Sequence, residues 1–387
     1  MPILNRAAEL QDEVAGWRRH IHENPGILYD VEHTASFVAD RLREFGVDEV
    51  VEGIGRTGVV GIIKGRLGEG PTLGMRADMD ALPLNEITGK PWASKNPGKM
   101  HACGHDGHTA MLLGAAKYMA ETRNFAGSVA VIFQPAEEGG AGGLAMVEDG
   151  MMDRFGIQKV YGMHNMPGLP VGQFAIRPGP IMASTAEFTV RVKGRGGHAA
   201  MPHGNIDPIV TASQLVLAFQ TIVSRSTDPV DSIVVSVTKI HAGDAYNIIP
   251  EMVELAGTVR TLRKEVQVKA GERMREICDG MGAAHGARIE LDFEANYPVT
   301  FNHAEETEFA AMVAGEVAGE PNVMAGIPPV MGGEDFSYML ERRPGAFIFI
   351  GNGDTANLHN PAYDFNDEVI PHGISYWVRL AEQSLRA

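Results

Sequence analysis

The strongest constraint on the fold is a series of continuous apolar runs that alternate with helical patterns. The runs read "GVVGIIKG" (58–65), "PTLGMRADMD" (71–80), "SVAVIFQP" (128–135) and "KVYGMHNMP" (159–167). Such runs are typical of strands that are buried on both faces of a parallel sheet. Helical patterns lie between and before them, at 6–23, 32–45, 107–121 and near 142–149. We therefore predict an α/β domain in which a mostly parallel sheet is flanked by helices.

The pattern changes between residues 182 and 295. A strand, a helix over 206–224, two strands, a second helix and a last strand follow one another there. The order βαββαβ is that of a ferredoxin-like unit, a four-stranded sheet with two helices on one face. The alternating pattern returns after residue 296. We therefore predict a small domain, 182–295, inserted into a larger one made of 1–181 and 296–387, as a chain of 387 residues allows.

Charge and composition exclude several classes of partner. The chain has 33 basic and 49 acidic side chains, a formal net charge of −16, and no long basic run. Nucleic acid and anionic membrane surfaces are therefore not expected as partners. The first residues have an amphipathic helical pattern rather than that of a signal peptide, and no apolar run is long enough to span a bilayer. With only Cys103 and Cys278, we expect no disulfide framework and a cytoplasmic location.

The segment "KMHACGHDGHTAMLL" (99–113) is the first candidate for chemistry. Cys103 and His105 are two residues apart, so in an extended loop both side chains point to the same side. A helix follows, and the dipole at its N-terminus is expected to lower the pKa of the Cys103 thiol. By itself the segment allows a metal site, a cysteine nucleophile with His105 as its base, or a histidine-rich loop without function.

Two adjacent glutamates form the second candidate. Glu137 and Glu138 follow the strand "VIFQP" and precede a glycine-rich turn. Adjacent carboxylates point in different directions, so one can bind a metal while the other transfers protons. The alternative is a pair of solvated glutamates in a loop.

Further donors follow two other strands. His164 ends the strand "VYGMH", and His359 lies in the polar loop "NLHNPAYDF". With Cys103, His105 and Glu138 they supply one sulfur, three imidazoles and one carboxylate. This set suits Zn, Mn, Co or Ni better than Ca or Mg, and five donors are enough for two ions.

Other polar residues can support such a site. Asp80, at the end of "MRADMD", is expected to orient a ligating histidine, although an aspartate that closes a turn is the alternative. In the inserted domain His198 lies in the glycine-rich "GRGGHAAMPH". Asn247 and Arg260 could bind a carbonyl and a carboxylate, unless Arg260 pairs with a neighbouring glutamate such as Glu254.

Seven segments together resemble the M20 metallopeptidase family, and in particular its amidohydrolase branch, which includes hippurate hydrolase and N-acyl-L-amino acid amidohydrolases. They are "MRADMDALP", "MHACGHDGHTAMLL", "QPAEEGGAGG", "YGMHN", "GRGGHAAMPH", "GDAYNIIP" and "GGEDFSYML". The resemblance covers essentially the whole chain. It implies a catalytic domain interrupted by a lid domain that commonly mediates dimerisation, so a homodimer or a higher homo-oligomer is expected.

The resemblance also implies roles for residues. The ligands of a two-metal site would be Cys103, His105, Glu138, His164 and His359. Glu137 would be the general base, and His198 would steady the carbonyl oxygen of the substrate. Asn247 and Arg260 would hold the substrate's carboxylate. Many family members have a His-x-Asp motif where this chain has Asp78-Met79-Asp80, so Asp78 is not expected to be a ligand.

The expected function is metal-dependent hydrolysis of an N-acyl amino acid to a carboxylate and a free amino acid. Within the same family a dipeptidase or carboxypeptidase is the alternative. A metal-free cysteine hydrolase would leave Glu138, His164 and His359 unexplained. A non-catalytic binding protein with a structural metal would leave no purpose for a free glutamate beside the ligands. The sequence does not specify the acyl group or the metal.

Overall fold

Within residues 3–386, which the computed structural model describes, the chain forms eleven α-helices and sixteen β-strands. The helices are Asn5–Glu9 (α1), Gln11–Glu23 (α2), Glu32–Glu44 (α3), His105–Thr122 (α4), Gly142–Glu148 (α5), Met151–Arg154 (α6), Pro208–Thr221 (α7), Lys264–His285 (α8), Ala304–Ala318 (α9), Ser337–Leu340 (α10) and Ile370–Ser384 (α11). The strands are Glu49–Ile54 (β1), Gly58–Lys64 (β2), Thr72–Asp78 (β3), Ser128–Gln134 (β4), Ile157–Pro167 (β5), Phe174–Ile176 (β6), Gly179–Met182 (β7), Ser184–Lys193 (β8), Gly197–His198 (β9), Ile233–Ala242 (β10), Ile248–Ile249 (β11), Met252–Thr261 (β12), Arg288–Ala295 (β13), Thr300–Asn302 (β14), Val323–Ala325 (β15) and Gly345–Gly353 (β16).

The chain divides into two compact units. The first comprises Met1–Ile181, Phe301–Pro328 and Asp335–Ala387, and the second Met182–Thr300 with Pro329–Glu334. The predicted inserted segment, 182–295, lies within the second unit.

The first unit is built on an eight-stranded sheet in the order β1-β2-β4-β3-β5-β16-β6-β15. The four central strands β4, β3, β5 and β16 are parallel. On one side β2 and β1 add antiparallel neighbours, and on the other β6 runs antiparallel to β16. The prediction of a mostly parallel sheet flanked by helices is confirmed.

Burial explains why the central strands are continuous apolar runs. Val129 to Phe133 of β4 are fully buried, because helices cover the sheet. Helix α4 packs against α2, α11 and β3, so it is apolar around most of its circumference. This fixes the first turn of α4 beside the ends of the parallel strands.

The second unit has the predicted βαββαβ order. Its four strands form an antiparallel sheet in the order β10-β12-β8-β13, with α7 and α8 packed on it. Phe188, Leu215, Leu255 and Met274 lie in its hydrophobic core. A separate two-stranded ribbon joins β9 to β11.

Several short elements differ from the prediction. Strand β1 was not predicted, because it is an edge strand in which only Ile54 is buried, and its sequence therefore lacks an apolar run. The strands β6, β7 and β15 have three or four residues each, too few for a periodic signal. The helix expected over 206–224 ends at Thr221 and continues as a π-helical turn. Among the described residues, no helix has both the length and the apolar character needed to cross a bilayer.

Candidate metal centre

The carboxyl ends of the parallel strands gather polar side chains in the first unit. Asp78 ends β3, Gln134 ends β4 just before Glu137, and His164 lies near the end of β5. In open α/β sheets this edge is where ligands bind.

The six residues expected at the metal site lie together here. Ligand atoms of Cys103, His105 and His164 lie within 4.8 Å of one another, as do those of Cys103, Glu138 and His359. Ligand atoms of His105, Glu137 and Glu138 form a third group within the same distance of one another. Cys103 Sγ is 3.4 Å from His164 Nε2, and His359 Nε2 is 3.2 Å from Glu138 Oε1.

The backbone around Cys103 differs from the predicted extended loop. His105 is the first residue of α4, and Gly104 precedes it with a φ of 88°. This left-handed conformation suits glycine and turns the chain sharply between Cys103 and His105. The turn, rather than an extended strand geometry, brings the two side chains to one site.

The donor atoms fit a metal ion. Both ring nitrogens of His105 are buried, and within residues 3–386 they make no hydrogen bond. Buried polar atoms are nearly always satisfied, so nitrogens without a hydrogen bond at the centre of a sulfur, nitrogen and carboxylate cluster are suited to bind a cation. The donors present therefore fit the transition-metal centre expected from the sequence.

The ionisation of Cys103 contradicts the sequence prediction. Burial, followed by the negative charges of Glu138, Glu137 and Asp78, raises the pKa of the Cys103 thiol well above its usual value. The expected lowering by the helix dipole is wrong, because desolvation and the three carboxylates oppose a thiolate more strongly than a helix end favours it. Although burial disfavours its charge, Asp78 and Asp80 raise the pKa of His105 to about 10. Both shifts have the same cause, an excess of carboxylate charge in the cluster, which a divalent cation would offset.

Asp80 lies where it can orient the centre. Its two carboxylate oxygens accept the backbone N–H groups of Glu137 and Glu138, each at 3.0 Å. Its Oδ1 is also 3.5 Å from His105 Nδ1. One buried carboxylate therefore fixes both glutamates and faces the ring of His105.

Asp78 is occupied by other partners. Its Oδ2 accepts from Arg76 Nη1 at 2.7 Å and its Oδ1 is 2.7 Å from His108 Nδ1. Both oxygens are thus engaged by protein partners, although Asp78 also forms a group with His105 and His108 whose ligand atoms lie within 4.8 Å of one another. That Asp78 is not a ligand stays a prediction.

The sequence reasoning missed four buried polar residues around the centre. Arg76 and Asp335 pair at 3.0 Å, and Asp335 also accepts from the side chain of Gln134 at 2.7 Å. His108, left without a role by the sequence, contacts Asp78, while Asn165 contacts the backbone of Cys103. Asp335 lies in the glycine-flanked segment "GGEDFSYML", which could have signalled a buried carboxylate.

The predicted substrate-binding residues belong to the second unit. His198 lies on β9 and pairs with Ile248 of β11, so its segment runs beside Asn247, whose backbone oxygen accepts from Ala199 N at 3.0 Å. His198 and Asn247 are both exposed. The ribbon therefore presents an imidazole and an amide close together.

Arg260 does not pair with Glu254, so that alternative is wrong. Glu254 accepts from Arg191 at 3.1 Å, because the two residues face each other across β12 and β8. Within residues 3–386 Arg260 forms no ion pair, and its Nη1 donates to the backbone oxygen of Val259 at 3.5 Å. Burial lowers the pKa of its guanidinium, and Glu187 offsets part of this effect.

The chain is similar in sequence and in structure to known hydrolases. The sequence matches the model of peptidase family M20/M25/M40 over residues 74–383. It is 43% identical over 386 residues to the hippurate hydrolase of Campylobacter jejuni, covering 100% of both chains. It is 39% identical to the N-acetylcysteine deacetylase of Bacillus subtilis, covering 94% of each. The crystal structure of a dinuclear metal-binding M20 peptidase from Bacillus subtilis superposes with a TM-score of 0.85 at 34% identity, covering 98% of this chain and 99% of that one.

Proposed function

Since the chain belongs to peptidase family M20/M25/M40, we propose that it hydrolyses the amide bond of N-acyl amino acids, releasing a carboxylate and a free amino acid. The chain is a metal-dependent amidohydrolase, and two relatives that match it over nearly their full length are named hippurate hydrolase and N-acetylcysteine deacetylase. Both relatives are named for N-acyl amino acids, which favours this substrate class over the peptides of the family's peptidases. The observation that carries the proposal is the cluster of metal-binding donors beside Glu137, in which neither ring nitrogen of the buried His105 makes a hydrogen bond.

We assign five residues to two divalent transition-metal ions, Mn, Zn, Co or Ni. They are Cys103, His105, Glu138, His164 and His359. When bound, such ions supply Lewis-acid polarisation of the amide carbonyl and acidify water. We divide the donors into two sets that share Cys103. One set adds His105 and His164, and the other adds Glu138 and His359.

Glu137 is the proposed general base. It is 7% exposed, its carboxylate lies within 4.8 Å of His105 and Glu138 ligand atoms, and Asp80 fixes its backbone. Glu137 takes a proton from the attacking water and returns it to the leaving amine, so one carboxyl group serves both proton transfers. Asp80 acts through the backbone of Glu137 and through His105.

The second unit supplies the proposed substrate contacts. His198 steadies the carbonyl oxygen as negative charge develops on it, and Asn247 and Arg260 bind the substrate's carboxylate. The absence of a carboxylate partner for Arg260 within residues 3–386 supports this assignment.

A substrate panel tests the function. We would strip the protein with chelator, restore Mn, Zn, Co or Ni one at a time, and measure amino-acid release from N-acetyl, N-benzoyl and N-indoleacetyl amino acids. We expect activity on some members that depends on the added metal. Activity that survives complete stripping would instead support a Cys103 nucleophile, and release from dipeptides alone would favour the peptidase alternative.

We also propose a homodimer or a higher homo-oligomer, formed through the second unit, and a cytoplasmic location. Val210, Leu217, Ile240 and Ile248 of this unit are exposed, as expected of a surface that a partner covers. The two cysteines are free, which is consistent with a reducing compartment. Light scattering after size exclusion should give at least twice the chain mass of 41.6 kDa, whereas a monomer would contradict the proposal.

A further inference from the structure

We infer that Asn165 is a positioning residue that holds the chain segments of Cys103 and His359 together for metal binding. The inference rests on the ligand set proposed above. Asn165 is 1% exposed and follows His164 in β5. Its neighbours belong to three segments that are distant in sequence and that each carry a proposed ligand.

The backbone of Asn165 fixes His164. Its carbonyl oxygen accepts from His164 Nδ1 at 2.7 Å, which leaves Nε2 as the nitrogen that faces Cys103. Its backbone N–H donates to His108 Nε2 at 2.9 Å. Both contacts are main-chain contacts of Asn165, so a change of its side chain leaves them in place.

The side chain of Asn165 joins the other two segments. Its Nδ2 donates to the carbonyl oxygen of Cys103 at 2.6 Å and also lies 3.1 Å from His108 Nε2. Its Oδ1 accepts from the hydroxyl of Tyr363 at 2.7 Å. Tyr363 follows His359 by four residues in the same loop, so one amide links the backbone at Cys103 to the loop of His359.

A direct backbone contact brings the same two segments together. The N–H of His359 donates to the carbonyl oxygen of Ala102 at 2.8 Å, and His359 has a left-handed φ of 61°. A side chain at this conformation is strained and needs surrounding contacts to hold it. The hydrogen bond between the Asn165 amide and Tyr363 is a contact that helps to hold this loop.

Gly104 packs directly against the side-chain amide of Asn165, with no room for a side chain of its own. A Cβ atom on Gly104 would lie 2.2 Å from Asn165 Nδ2 and 2.5 Å from Tyr363 Oη. The turn between Cys103 and His105 is therefore closed against this amide, and the ligands on either side of Gly104 depend on it.

Removal of the amide has a definite consequence. Asn165→Ala leaves the carbonyl of Cys103 and the hydroxyl of Tyr363 without their buried partner, and both segments lose their common anchor. Residues that orient metal ligands in this way change metal affinity by roughly 10–100-fold when they are substituted. We expect a weakening of that size for Asn165→Ala, and a smaller one for Tyr363→Phe, which removes one link only.

The test measures metal affinity rather than turnover. Metal-free full-length protein is titrated with Co²⁺ in competition with a chelator, and binding is followed by the thiolate-to-cobalt absorption that Cys103 would give. Asn302→Ala is the matched control, because Asn302 is also fully buried and makes three hydrogen bonds, to Phe347 and Arg177, which carry no ligand.

The outcomes separate the inference from the function on which it rests. Weaker Co²⁺ binding by Asn165→Ala, with Asn302→Ala unchanged, supports the positioning role. Unchanged binding by Asn165→Ala, or equal weakening in Asn302→Ala, overturns it. If Asn165→Ala does not fold, Tyr363→Phe decides in the same way. A wild-type protein without the thiolate absorption overturns the ligand set itself, independently of Asn165.

Discussion

At the scale of single residues, the surroundings of Cys103 decide between the roles open to a cysteine among histidines. Its thiol is buried and the pKa of the thiol is raised. Its sulfur contacts His164, whereas a cysteine nucleophile was expected to use His105 as its base. A nucleophile needs a thiolate at neutral pH, and these surroundings oppose one. A bound cation reverses the balance, because a thiolate ligand is stabilised by the metal charge. The geometry therefore favours a ligand over a nucleophile.

The adjacent glutamates allow a matched test of their separate roles. We expect Glu137→Gln to lose most of its turnover, by at least about 100-fold, because an amide cannot accept the proton of the attacking water. It should retain its metal. Glu138→Gln should lose both metal and turnover, because it removes a ligand oxygen.

The measurement is turnover on the active substrate of the panel together with bound metal by atomic absorption. Near-normal turnover of Glu137→Gln would reject Glu137 as the base. Equal loss of metal in both variants would mean that the two glutamates do not act separately as base and ligand.

At the scale of elements, the segment between β4 and α5 is held at both ends by one carboxylate. Asp335 accepts from the side chain of Gln134, the last residue of β4, and from Gly143 N in the first turn of α5, both at 2.7 Å. Asp80 holds the middle of the segment through Glu137 and Glu138. Two carboxylates from other parts of the chain therefore fix the loop that carries the proposed base.

Asp335→Asn should reduce kcat by about tenfold or more with little change in KM. The two donors bind separate carboxylate oxygens, whereas an amide side chain has only one acceptor oxygen. Gly143→Ala disturbs the same contact without removing a charge, since its Cβ would lie 2.8 Å from the backbone oxygen of Asp335 and 3.2 Å from its carboxyl group. Steady-state kinetics measure both. Asp149→Asn is the control, because Asp149 accepts from Gly55 N away from this segment.

If Asp335→Asn raises KM alone, the carboxylate does not act on the loop of the base. The melting temperature of each variant should be recorded, because breaking the buried pair with Arg76 also costs stability.

At the scale of the whole molecule, a buried histidine paired with two carboxylates makes stability depend on pH. His22 is fully buried in α2, with Nδ1 2.8 Å from Asp106 and Nε2 3.3 Å from Glu86. Burial disfavours its charge and Arg18 opposes it, but Asp106 and Glu86 raise the pKa of His22 to about 9. His22 is therefore a cation in the folded protein at neutral pH and joins the loop of Glu86 to the first turn of α4.

This pKa predicts how stability depends on pH. Because the folded value is above the ordinary value of 6.5, the contribution of protonated His22 is fully present below the ordinary value and is lost as pH rises through 9. A difference of this size corresponds to about 3 kcal/mol. We expect wild-type protein to lose stability between about pH 6 and about pH 10, and His22→Gln to lose less over the same interval.

Urea unfolding of metal-free protein at the two pH values measures this difference. The exposed His241 provides the control variant His241→Gln, which should follow the wild type. A His22→Gln protein with the wild-type pH dependence would show that His22 is not charged in the folded state.

The sequence by itself determined which residues are available for chemistry and on which kind of fold. Apolar runs at β3, β4 and β5 identify parallel strands, and polar residues after such runs must meet at one edge of the sheet, so Glu137, Glu138 and His164 were predictable from local pattern. Similarly, the order of strands and helices in the second unit follows from periodicity alone.

Only the tertiary structure decided the ionisation of Cys103, the partners of Arg260, and the contacts of Asn165. Each depends on burial or on a residue that is distant in sequence: Tyr363 meets Asn165 across 198 positions, and no local pattern contains that pairing. Desolvation and long-range charge set the pKa of the thiol, and both arise only when the chain has packed. A sequence can therefore name the donors of such a centre, whereas their protonation and support depend on how the folded chain surrounds them.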